Sequence, residues 1–219
     1  MTKRNKVTVL IPTFNVQGII RRSLKSALWA DEILVVDSFS TDRTVEIAKE
    51  MGAKVMQHEY IYSAKQKNWA IPQAKNDWVL LLDSDEVITS KLKEEILQLL
   101  EGGDIDKYDG FAIGRRHYFL GKWLRWGGRY PLYNIRFFKK TSRYEDRDVH
   151  AHIILDKAKV KNLEGDILHY SDPTLDHFFT KFNRYTTYQA NYLHKFSERE
   201  NKIEWKKFFT YHILTPLEK

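Results

Sequence analysis

Residues 78–86 read Trp-Val-Leu-Leu-Leu-Asp-Ser-Asp-Glu, an apolar run that ends abruptly in acidic residues. A continuous apolar run of this kind predicts a strand that is buried on both faces of a parallel sheet. In open α/β sheets, ligands gather at the carboxyl ends of such strands. Asp83 and Asp85 offer oxygens that suit Mn2+ or Mg2+, and either ion can bind a diphosphate. The stretch therefore predicts a parallel sheet with a metal site at its edge.

The residues around this stretch alternate between strand and helix patterns. Strands are predicted at 7–11, 33–36, 54–57 and 78–82, and helices at 19–30, 44–51, 63–73 and from 90 onward. Ser63 and Ser90 are the expected N-caps, and Gly52 is the expected left-handed end of the second helix. Strands that alternate with helices imply right-handed crossovers and an α/β fold with a mostly parallel central sheet flanked by helices.

The pattern changes after Asp109. Short strand-like runs at 111–113, 133–138, 150–155 and 159–163 predict added antiparallel strands. Pro173 is expected to open a last helix over residues 175–196. The predicted organisation is a domain at 1–172, with a nucleotide-binding half at 1–88 and an acceptor-side half at 89–172, followed by a C-terminal helical arm at 173–219.

Composition limits the classes of function. The 219 residues include no Cys, which excludes disulfides and thiolate chemistry, and the net charge of +7 favours polyanionic partners. No stretch approaches the roughly 20 apolar residues of a membrane span, and no apolar signal segment precedes the first strand. These features predict a cytoplasmic protein. Cations beside aromatic residues at 178–182 and 206–209 are typical of helices at a membrane surface, here the inner face of the cytoplasmic membrane, and the alternative is that these stretches pack on their own domain.

Polar motifs follow three of the predicted strands. Residues 12–15 (Pro-Thr-Phe-Asn) follow the first, Asp37 follows the second, and the acidic cluster follows the fourth. Because the carboxyl ends of parallel strands meet at one edge of a sheet, we expect these motifs to converge. Asp37 is a candidate acceptor of hydrogen bonds from a nucleobase or ribose, and Asp83 with Asp85 is a candidate site for a metal-bound diphosphate. The local alternative for Asp37 is a turn acid before Ser40.

Four blocks resemble the ordered motifs of family 2 glycosyltransferases with the GT-A fold, and in particular lipopolysaccharide core β-glucosyltransferase-like enzymes. The blocks are residues 12–15, 35–44, 66–70 and 82–86. The resemblance implies an inverting hexosyltransferase that uses Mn2+ or Mg2+. It implies transfer of a sugar from a UDP-sugar to a hydroxyl of a glycan or lipid-linked acceptor, in the synthesis of a cell-surface polysaccharide or lipopolysaccharide.

The resemblance also implies roles for individual residues. The donor nucleotide would be bound by Pro12, Thr13, Asn15, Asp37, Lys67, Asn68, Asp83 and Ser84. The metal ligands would be Asp85, as the principal one, Asp83 and a late histidine, His169. For the histidine, the structural alternative is an ordinary hydrogen-bonded side chain.

Residues 127–131 resemble the acceptor loop of these enzymes. Basic and aromatic residues in and around this loop can hold a phosphorylated or sugar acceptor by bidentate contacts and ring stacking. The candidates are Trp126, Gly128, Arg129 and Arg136. Aromatic packing beneath a basic rim is the structural alternative.

Residues 143–148 resemble the block that carries the catalytic base. An inverting transfer needs one carboxylate that takes a proton from the acceptor hydroxyl. The expected base is Asp146, followed by Glu145 and then Asp148. The related enzymes would read Val-His-Glu next, whereas this chain reads Val-His-Ala-His at 149–152. The departure leaves the choice of base open, and with it a transferase-like protein that binds sugar nucleotides without turnover.

Three other classes of protein fit the sequence less well. A sugar nucleotidyltransferase, the enzymatic alternative, should have a glycine-rich basic loop after its first strand, where this chain has residues 12–18. A dinucleotide-dependent oxidoreductase needs G-x-G-x-x-G at that place, and the motif is absent. A nucleic-acid-binding module would account for the charge, but acids at the strand ends would repel phosphates in the absence of a metal. No nucleic-acid partner is therefore expected.

Overall fold

The computed structural model describes residues 4–147 and 151–172, with residues 174–176, 178–180, 182–183, 186–187 and 190. Strands and helices alternate through the first half of the chain, as the sequence predicts. The strands are β1 (Val7–Thr13), β2 (Glu32–Asp37), β3 (Lys54–Gln57), β4 (Trp78–Leu81), β5 (Glu86–Ile88), β6 (Gly110–Phe119), β7 (Lys122–Trp123), β8 (Tyr133–Lys139) and β9 (Val160–Asp172).

Four α-helices precede residue 172, namely α1 (Ile20–Ala27), α2 (Thr44–Glu50), α3 (Ser63–Ala70) and α4 (Ser90–Glu101), and the described residues from 175 to 190 are also helical. Gly52 has a φ of 81°, so the predicted left-handed end of α2 is confirmed. Both predicted N-caps are wrong by one residue. Ser90 is the first residue of α4, because the Thr89 side chain accepts the cap hydrogen bond from the amide of Leu92. Ser63 likewise begins α3, after Tyr62 in an extended conformation.

Strands β3, β2, β1 and β4 form the parallel half of the sheet in that order. The register pairs Thr13 of β1 with Asp37 of β2, and Leu10 of β1 with Leu81 of β4. Because the strands run in the same direction, the residues that follow Thr13, Asp37 and Leu81 emerge at one edge. The backbone therefore brings the three polar motifs to one edge of the sheet, as the sequence predicts.

The antiparallel half extends the sheet beyond β4, in the order β8, β6, β9 and β5. β8 runs antiparallel to β4, with Leu80 opposite Phe137. β5 and β9 are also antiparallel, and Glu86 lies opposite His169. The predicted strand at 150–155 is wrong, since only an isolated bridge between Tyr144 and Ile153 forms there. Among the described residues, no further strand pairing extends this bridge into a ladder.

The core consists of two apolar layers on the two faces of the sheet. Val9, Leu80 and Phe137 are fully buried on one face, and Leu10 and Leu81 are fully buried on the other. Alternate residues of the same strand point to opposite faces, so a strand with helices on both sides must be apolar throughout. This requirement explains the unbroken apolar sequence of β4.

The chain divides into two compact units, each of two segments. The first comprises Met1–Arg115 and Leu132–His169, and the second comprises Arg116–Pro131 and Tyr170–Lys219. The first unit contains the parallel half of the sheet. In the second, Tyr118 pairs with Trp123 across the β6–β7 turn. The predicted boundary between 172 and 173 stays a prediction, and most of the predicted arm lies outside the described residues.

Across the described ranges, none of the helices combines the length and apolar character that a membrane crossing requires.

Removal of the Leu80 side chain tests the importance of the central strand. Leu80 is fully buried in β4, and we expect Leu80→Ala to lower the free energy of unfolding by roughly 2–5 kcal/mol, since the substitution leaves a cavity. Leu28→Ala is the matched control, because Leu28 is 55% exposed and its loss should change stability by about 0.5 kcal/mol or less. Urea unfolding measures both, and equal effects would contradict the burial of β4.

Candidate functional site

The end of β2 is organised around the buried carboxylate of Asp37. The Thr13 hydroxyl donates to Oδ1 at 3.1 Å, and the Ser40 amide donates to Oδ2 at 2.8 Å. The Ser40 hydroxyl and the Gln57 side-chain amide donate two further hydrogen bonds. Asp37 is fully buried, and its carboxylate is hydrogen-bonded to groups of the surrounding strands and loops. Its role in nucleotide binding stays a prediction.

The loops after β1 and β2 are joined by Asn15. Its amide donates to the Ser40 hydroxyl at 2.8 Å, and its side-chain oxygen accepts from the Thr41 amide at 2.8 Å. Asn15 and Phe39 have φ values of 50° and 58°. Asn tolerates this left-handed region, whereas it is strained for Phe. The two loops are therefore fixed to each other at the sheet edge.

A cavity of about 220 Å³ opens at this edge. Its walls come from the ends of β1, β2 and β4 and from the region around α3. The lining residues are Pro12, Thr13, Phe14, Val16, Ser38, Tyr60, Ser63, Gln66, Lys67, Asp83 and Ser84. Five of the predicted donor-binding positions, Pro12, Thr13, Lys67, Asp83 and Ser84, are among them. Burial lowers the pKa of the Lys67 ammonium from its usual value, and the nearby charge of Asp83 opposes this effect.

The acidic turn after β4 is closed by Glu86. The Asp83 amide donates to Oε2 of Glu86 at 2.9 Å, and the Glu86 amide donates to the Asp83 carbonyl at 2.9 Å. The guanidinium of Arg136 donates to Oδ2 of Asp83 at 2.8 Å and to Oε1 of Glu86 at 3.1 Å. Arg115 lies 3.3 Å from the same Glu86 oxygen. The sequence places Glu86 in the acidic stretch and Arg115 among the basic residues that could hold an acceptor, but it gives no sign that the two side chains pair with each other.

The opposite charges in this cluster stabilise each other's ionised forms. Burial disfavours the charged form of Asp83, but Arg136 and Lys67 outweigh burial and hold the pKa of Asp83 well below its usual range. Burial also opposes the charge of Arg136, whose pKa is nevertheless raised by Asp83 and Glu86. The side chain of Arg136 is 9% exposed and that of Glu86 is fully buried. Asp83 therefore stays an anion that is already paired with a cation.

The second acid of the turn has a different partner. Oδ2 of Asp85 lies 3.2 Å from Nε2 of His169, and both side chains keep some exposure. The pairing of β5 with β9 makes this contact, because it sets Glu86 opposite His169. The structure thus brings together the predicted metal ligands Asp85 and His169. Asp83, the third predicted ligand, is bound to Arg136 instead.

A carboxylate oxygen and an imidazole nitrogen can together bind Mn2+, whereas Mg2+ prefers oxygen ligands alone. Within the described residues, no group of three or more His, Cys, Asp and Glu side chains could hold a metal ion. A substrate-bridging ion does not need such a group, because it is held by one or two protein ligands together with phosphate oxygens and water. The Asp85–His169 pair fits that kind of site.

The predicted base segment lies against α3. The hydroxyl of Tyr62 donates to the carboxylate of Asp146, which is exposed. Oε2 of Glu145 lies 3.8 Å from the guanidinium of Arg147, a long surface pair. Asp148 lies outside the described residues. Tyr62 had no signal in the sequence analysis, since 84 residues separate it from Asp146 along the chain.

Asn68 contacts the same segment. Its side-chain nitrogen donates to the Tyr144 carbonyl at 2.9 Å, and its oxygen accepts from the Tyr144 amide at 2.8 Å. Asn68 is a predicted donor-binding residue, and that role stays a prediction. Burial raises the pKa of the Tyr144 hydroxyl to about 12, so this side chain is neutral at physiological pH.

The predicted acceptor residues fall in two places. Trp126, Gly128 and Arg129 belong to the second unit, where Trp126 is 86% exposed and Gly128 has a φ of 68°. Arg136 belongs to the first unit, where its guanidinium is bound to Asp83 and Glu86. The acceptor-binding role of these residues stays a prediction.

The fold matches that of a solved structure. The structure aligns with Staphylococcus aureus TarS residues 1–349 at a TM-score of 0.54 and 18% identity, covering 76% of this chain and 60% of that one. The parallel half-sheet with an acidic turn after β4, extended by antiparallel strands, is the GT-A fold of glycosyltransferases. The fold predicted from the sequence is confirmed.

The chain belongs to glycosyl transferase family 2, whose profile matches residues 8–158. An uncharacterised glycosyltransferase of Rickettsia typhi is 30% identical over 229 residues, covering 97% of this chain and 73% of the relative. The lipopolysaccharide core biosynthesis glycosyltransferase LpsC of Rhizobium meliloti is 25% identical over 198 residues, covering 87% and 73%. The chain is therefore a glycosyltransferase.

Replacement of Arg136 tests the buried charge cluster. Arg136→Met leaves Asp83 and Glu86 without their shared cation, and we expect the free energy of unfolding to fall by roughly 3–5 kcal/mol. The control is Lys139→Met in the same strand, which removes a half-exposed pair with Asp109 and should cost about 1 kcal/mol or less. Guanidinium unfolding at neutral pH measures both. A loss for Arg136→Met no larger than the control's would contradict the buried pairing.

Proposed function

We propose that the chain is a metal-dependent, inverting glycosyltransferase that moves a hexose from a UDP-sugar to a hydroxyl of a glycan or lipid-linked acceptor. The observation that carries the proposal is the combination at one sheet edge of the cavity, the Lys67 ammonium and the Asp85–His169 pair. A cavity with an ammonium at its wall and metal-binding donors beside it suits a diphosphate. Family membership makes a sugar diphosphate the natural donor.

The donor site is proposed to use the ends of three strands. Pro12 and Thr13 would bind the nucleoside, and Lys67 would neutralise phosphate charge. Asp85 and His169 would hold Mn2+ or Mg2+, which when bound neutralises the charge that develops on the leaving diphosphate. Asp83 would contribute to the donor site by holding the shape of the acidic turn, since its carboxylate is paired with Arg136.

The chemical step is proposed to need one carboxylate of the chain. Asp146 would take the proton from the acceptor hydroxyl as the hydroxyl oxygen attacks the anomeric carbon. The bond from that carbon to the diphosphate oxygen breaks on the opposite face, so the configuration inverts. UDP leaves with the bonding electrons. Exposure of Asp146 supports this role, because the base must reach an external hydroxyl.

The biological setting is proposed from the relatives. LpsC of Rhizobium meliloti is named for lipopolysaccharide core biosynthesis, which supports an acceptor in the synthesis of lipopolysaccharide or another surface polysaccharide. Such an acceptor would place the protein in the cytoplasm, at the inner face of the cytoplasmic membrane. The acceptor contacts would include Trp126, Gly128 and Arg129.

Calorimetric titration of UDP tests the donor site. With Mn2+ present we expect selective binding of UDP over other nucleoside diphosphates, and chelation of Mn2+ should weaken it. Asp85→Asn should weaken Mn2+-dependent UDP binding roughly 10-fold or more, because even the loss of a ligand's supporting partner has an effect of that size. Asp77→Asn is the control, since that side chain is 90% exposed at the other end of β4.

Two outcomes would contradict the donor-site proposal. UDP binding that is indifferent to Mn2+ and to Asp85→Asn would remove the metal assignment. Failure of every nucleoside diphosphate to bind would remove the donor site altogether.

Substitution of the candidate bases tests the chemical step. We expect Asp146→Asn to lower kcat roughly 100-fold or more, the scale of general base catalysis, without weakening UDP binding. Glu145→Gln should leave kcat within a few-fold. The measurement is release of UDP from UDP-sugars with water as acceptor. If Asp148→Asn abolished turnover and Asp146→Asn did not, the base would be Asp148. UDP binding without UDP release from any donor would indicate a transferase-like protein without turnover.

A further inference from the structure

One short helix contacts the predicted base segment at two successive points. Asn68 in α3 satisfies both backbone polar groups of Tyr144, at 2.8 and 2.9 Å. Tyr62, the residue that precedes α3, donates its hydroxyl proton to the carboxylate of Asp146. The two hydrogen-bonded positions on the segment are thus two residues apart. The Tyr144 backbone and the Asp146 side chain are therefore both held by α3 and the residue that precedes it.

The segment has little regular structure of its own to hold it in place. On its other side, the Glu145 amide donates to the carbonyl of His152 at 2.9 Å, and Tyr144 forms an isolated bridge with Ile153. No longer ladder of strand hydrogen bonds fixes residues 143–147 in the described part of the chain. The side chain of Asn68 therefore replaces a neighbouring strand by satisfying the backbone groups of Tyr144.

The same helix forms a wall of the donor cavity. Ser63, Gln66 and Lys67 all line it. Gln66 donates to the Ser38 hydroxyl at 2.5 Å, which anchors α3 to the loop after β2. The Lys67 ammonium lies 5.2 Å from the centroid of the Tyr144 ring. One face of α3 thus meets the donor cavity, and another meets the segment that carries Asp146.

We propose that Tyr62 and Asn68 are positioning residues for the base: Asn68 fixes the backbone at Tyr144, and Tyr62 orients the carboxylate of Asp146 relative to the donor cavity. This inference rests on the proposed role of Asp146. One carboxylate oxygen, Oδ1, accepts from Tyr62, and Oδ2 would accept the proton of the acceptor hydroxyl. A base works only within hydrogen-bond reach of that proton, and a displacement of about 1 Å can cost roughly 100-fold in rate.

The first test is Tyr62→Phe, which removes a single hydroxyl. We expect kcat for UDP release to fall roughly 10-fold or more, because the carboxylate loses its fixed orientation. The KM for the donor and the affinity for UDP should stay within about twofold. UDP-glucose, UDP-galactose and UDP-N-acetylglucosamine serve as donor probes with water as acceptor, and the fastest is used for all variants. Absence of UDP release by the unaltered protein from all three would count against the proposed function and the inference together.

Tyr108→Phe is the matched control. Tyr108 precedes β6, whose first residue pairs with Phe138 beside the amino end of β4, so its hydroxyl lies at the opposite end of the sheet from Asp83. Its removal should leave kcat and KM unchanged. Thermal unfolding of both variants shows whether a loss of kcat follows a loss of stability, which the inference does not predict.

A second variant addresses the backbone contact. Asn68→Asp keeps an oxygen that accepts from the Tyr144 amide and loses the donor to the Tyr144 carbonyl. We expect kcat to fall while UDP affinity is retained, and hydrogen exchange at the Tyr144 amide to stay slow. Asn68→Ala removes both hydrogen bonds and should lower kcat further and speed that exchange. A fall in UDP affinity with unchanged kcat would show that Asn68 serves the donor instead.

A double substitution separates failure of the inference from failure of the proposed function. If Tyr62 acts through Asp146, Tyr62→Phe should lower kcat in the unaltered protein and have no further effect in Asp146→Asn. An inactive Asp146→Asn with a fully active Tyr62→Phe would overturn the inference alone. A fully active Asp146→Asn would overturn the assignment of the base, and with it the premise. Equal losses of kcat and UDP affinity in Tyr62→Phe would also overturn the positioning role.

Discussion

The ion-paired turn at the end of β4 is the constraint on which the rest of the site depends. Two carboxylates, Asp83 and Glu86, lie close together at the edge of an apolar sheet, where like charges repel strongly. Arg136 resolves the conflict, because it contacts both at 2.8 and 3.1 Å. Its position follows from the antiparallel register of β8, which sets Phe137 opposite Leu80 and so brings Arg136 to the tip of β4. The antiparallel half of the fold is thus required for the acidic turn that the parallel half presents, and with the turn formed, Asp85 meets His169.

Burial divides the acids of the site into two groups. Asp37 and Glu86 are fully buried and accept hydrogen bonds from the protein's own loops and guanidinium groups. Asp85 and Asp146 retain exposure, so their oxygens can meet a ligand. The sequence presents Asp37, Asp85 and Glu86 as similar acids that follow strands, and Asp146 as one acid of a charged segment. Only the number of internal donors around each carboxylate distinguishes an acid that shapes a loop from one that is available for chemistry.

The parts that local pattern could predict are those whose cause is local. An apolar run such as β4 must be a buried strand, and Gly52 must end a helix in the left-handed region, so these elements and the parallel half of the fold could be predicted. The starts of α3 and α4 could be predicted, but their N-caps were misplaced by one residue, since the side chain that accepts from the Leu92 amide is that of Thr89. The contacts of Arg136 with Glu86 and of Asn68 with Tyr144 span 50 and 76 residues. Such pairings depend on strand register and helix orientation, which no spacing in the sequence encodes.

The shared use of α3 has a consequence for altering the enzyme by design. Loop residues such as Phe14 and Val16 reach the cavity and belong neither to α3 nor to the segment that carries Asp146. Changes of sugar-nucleotide preference made in those loops would be modular. Changes made in α3 would affect both donor binding and the position of the base, because the same helix lines the cavity and contacts the segment that carries Asp146. We would therefore expect laboratory selection for a new donor to accumulate substitutions in the loops and to leave the helix unchanged.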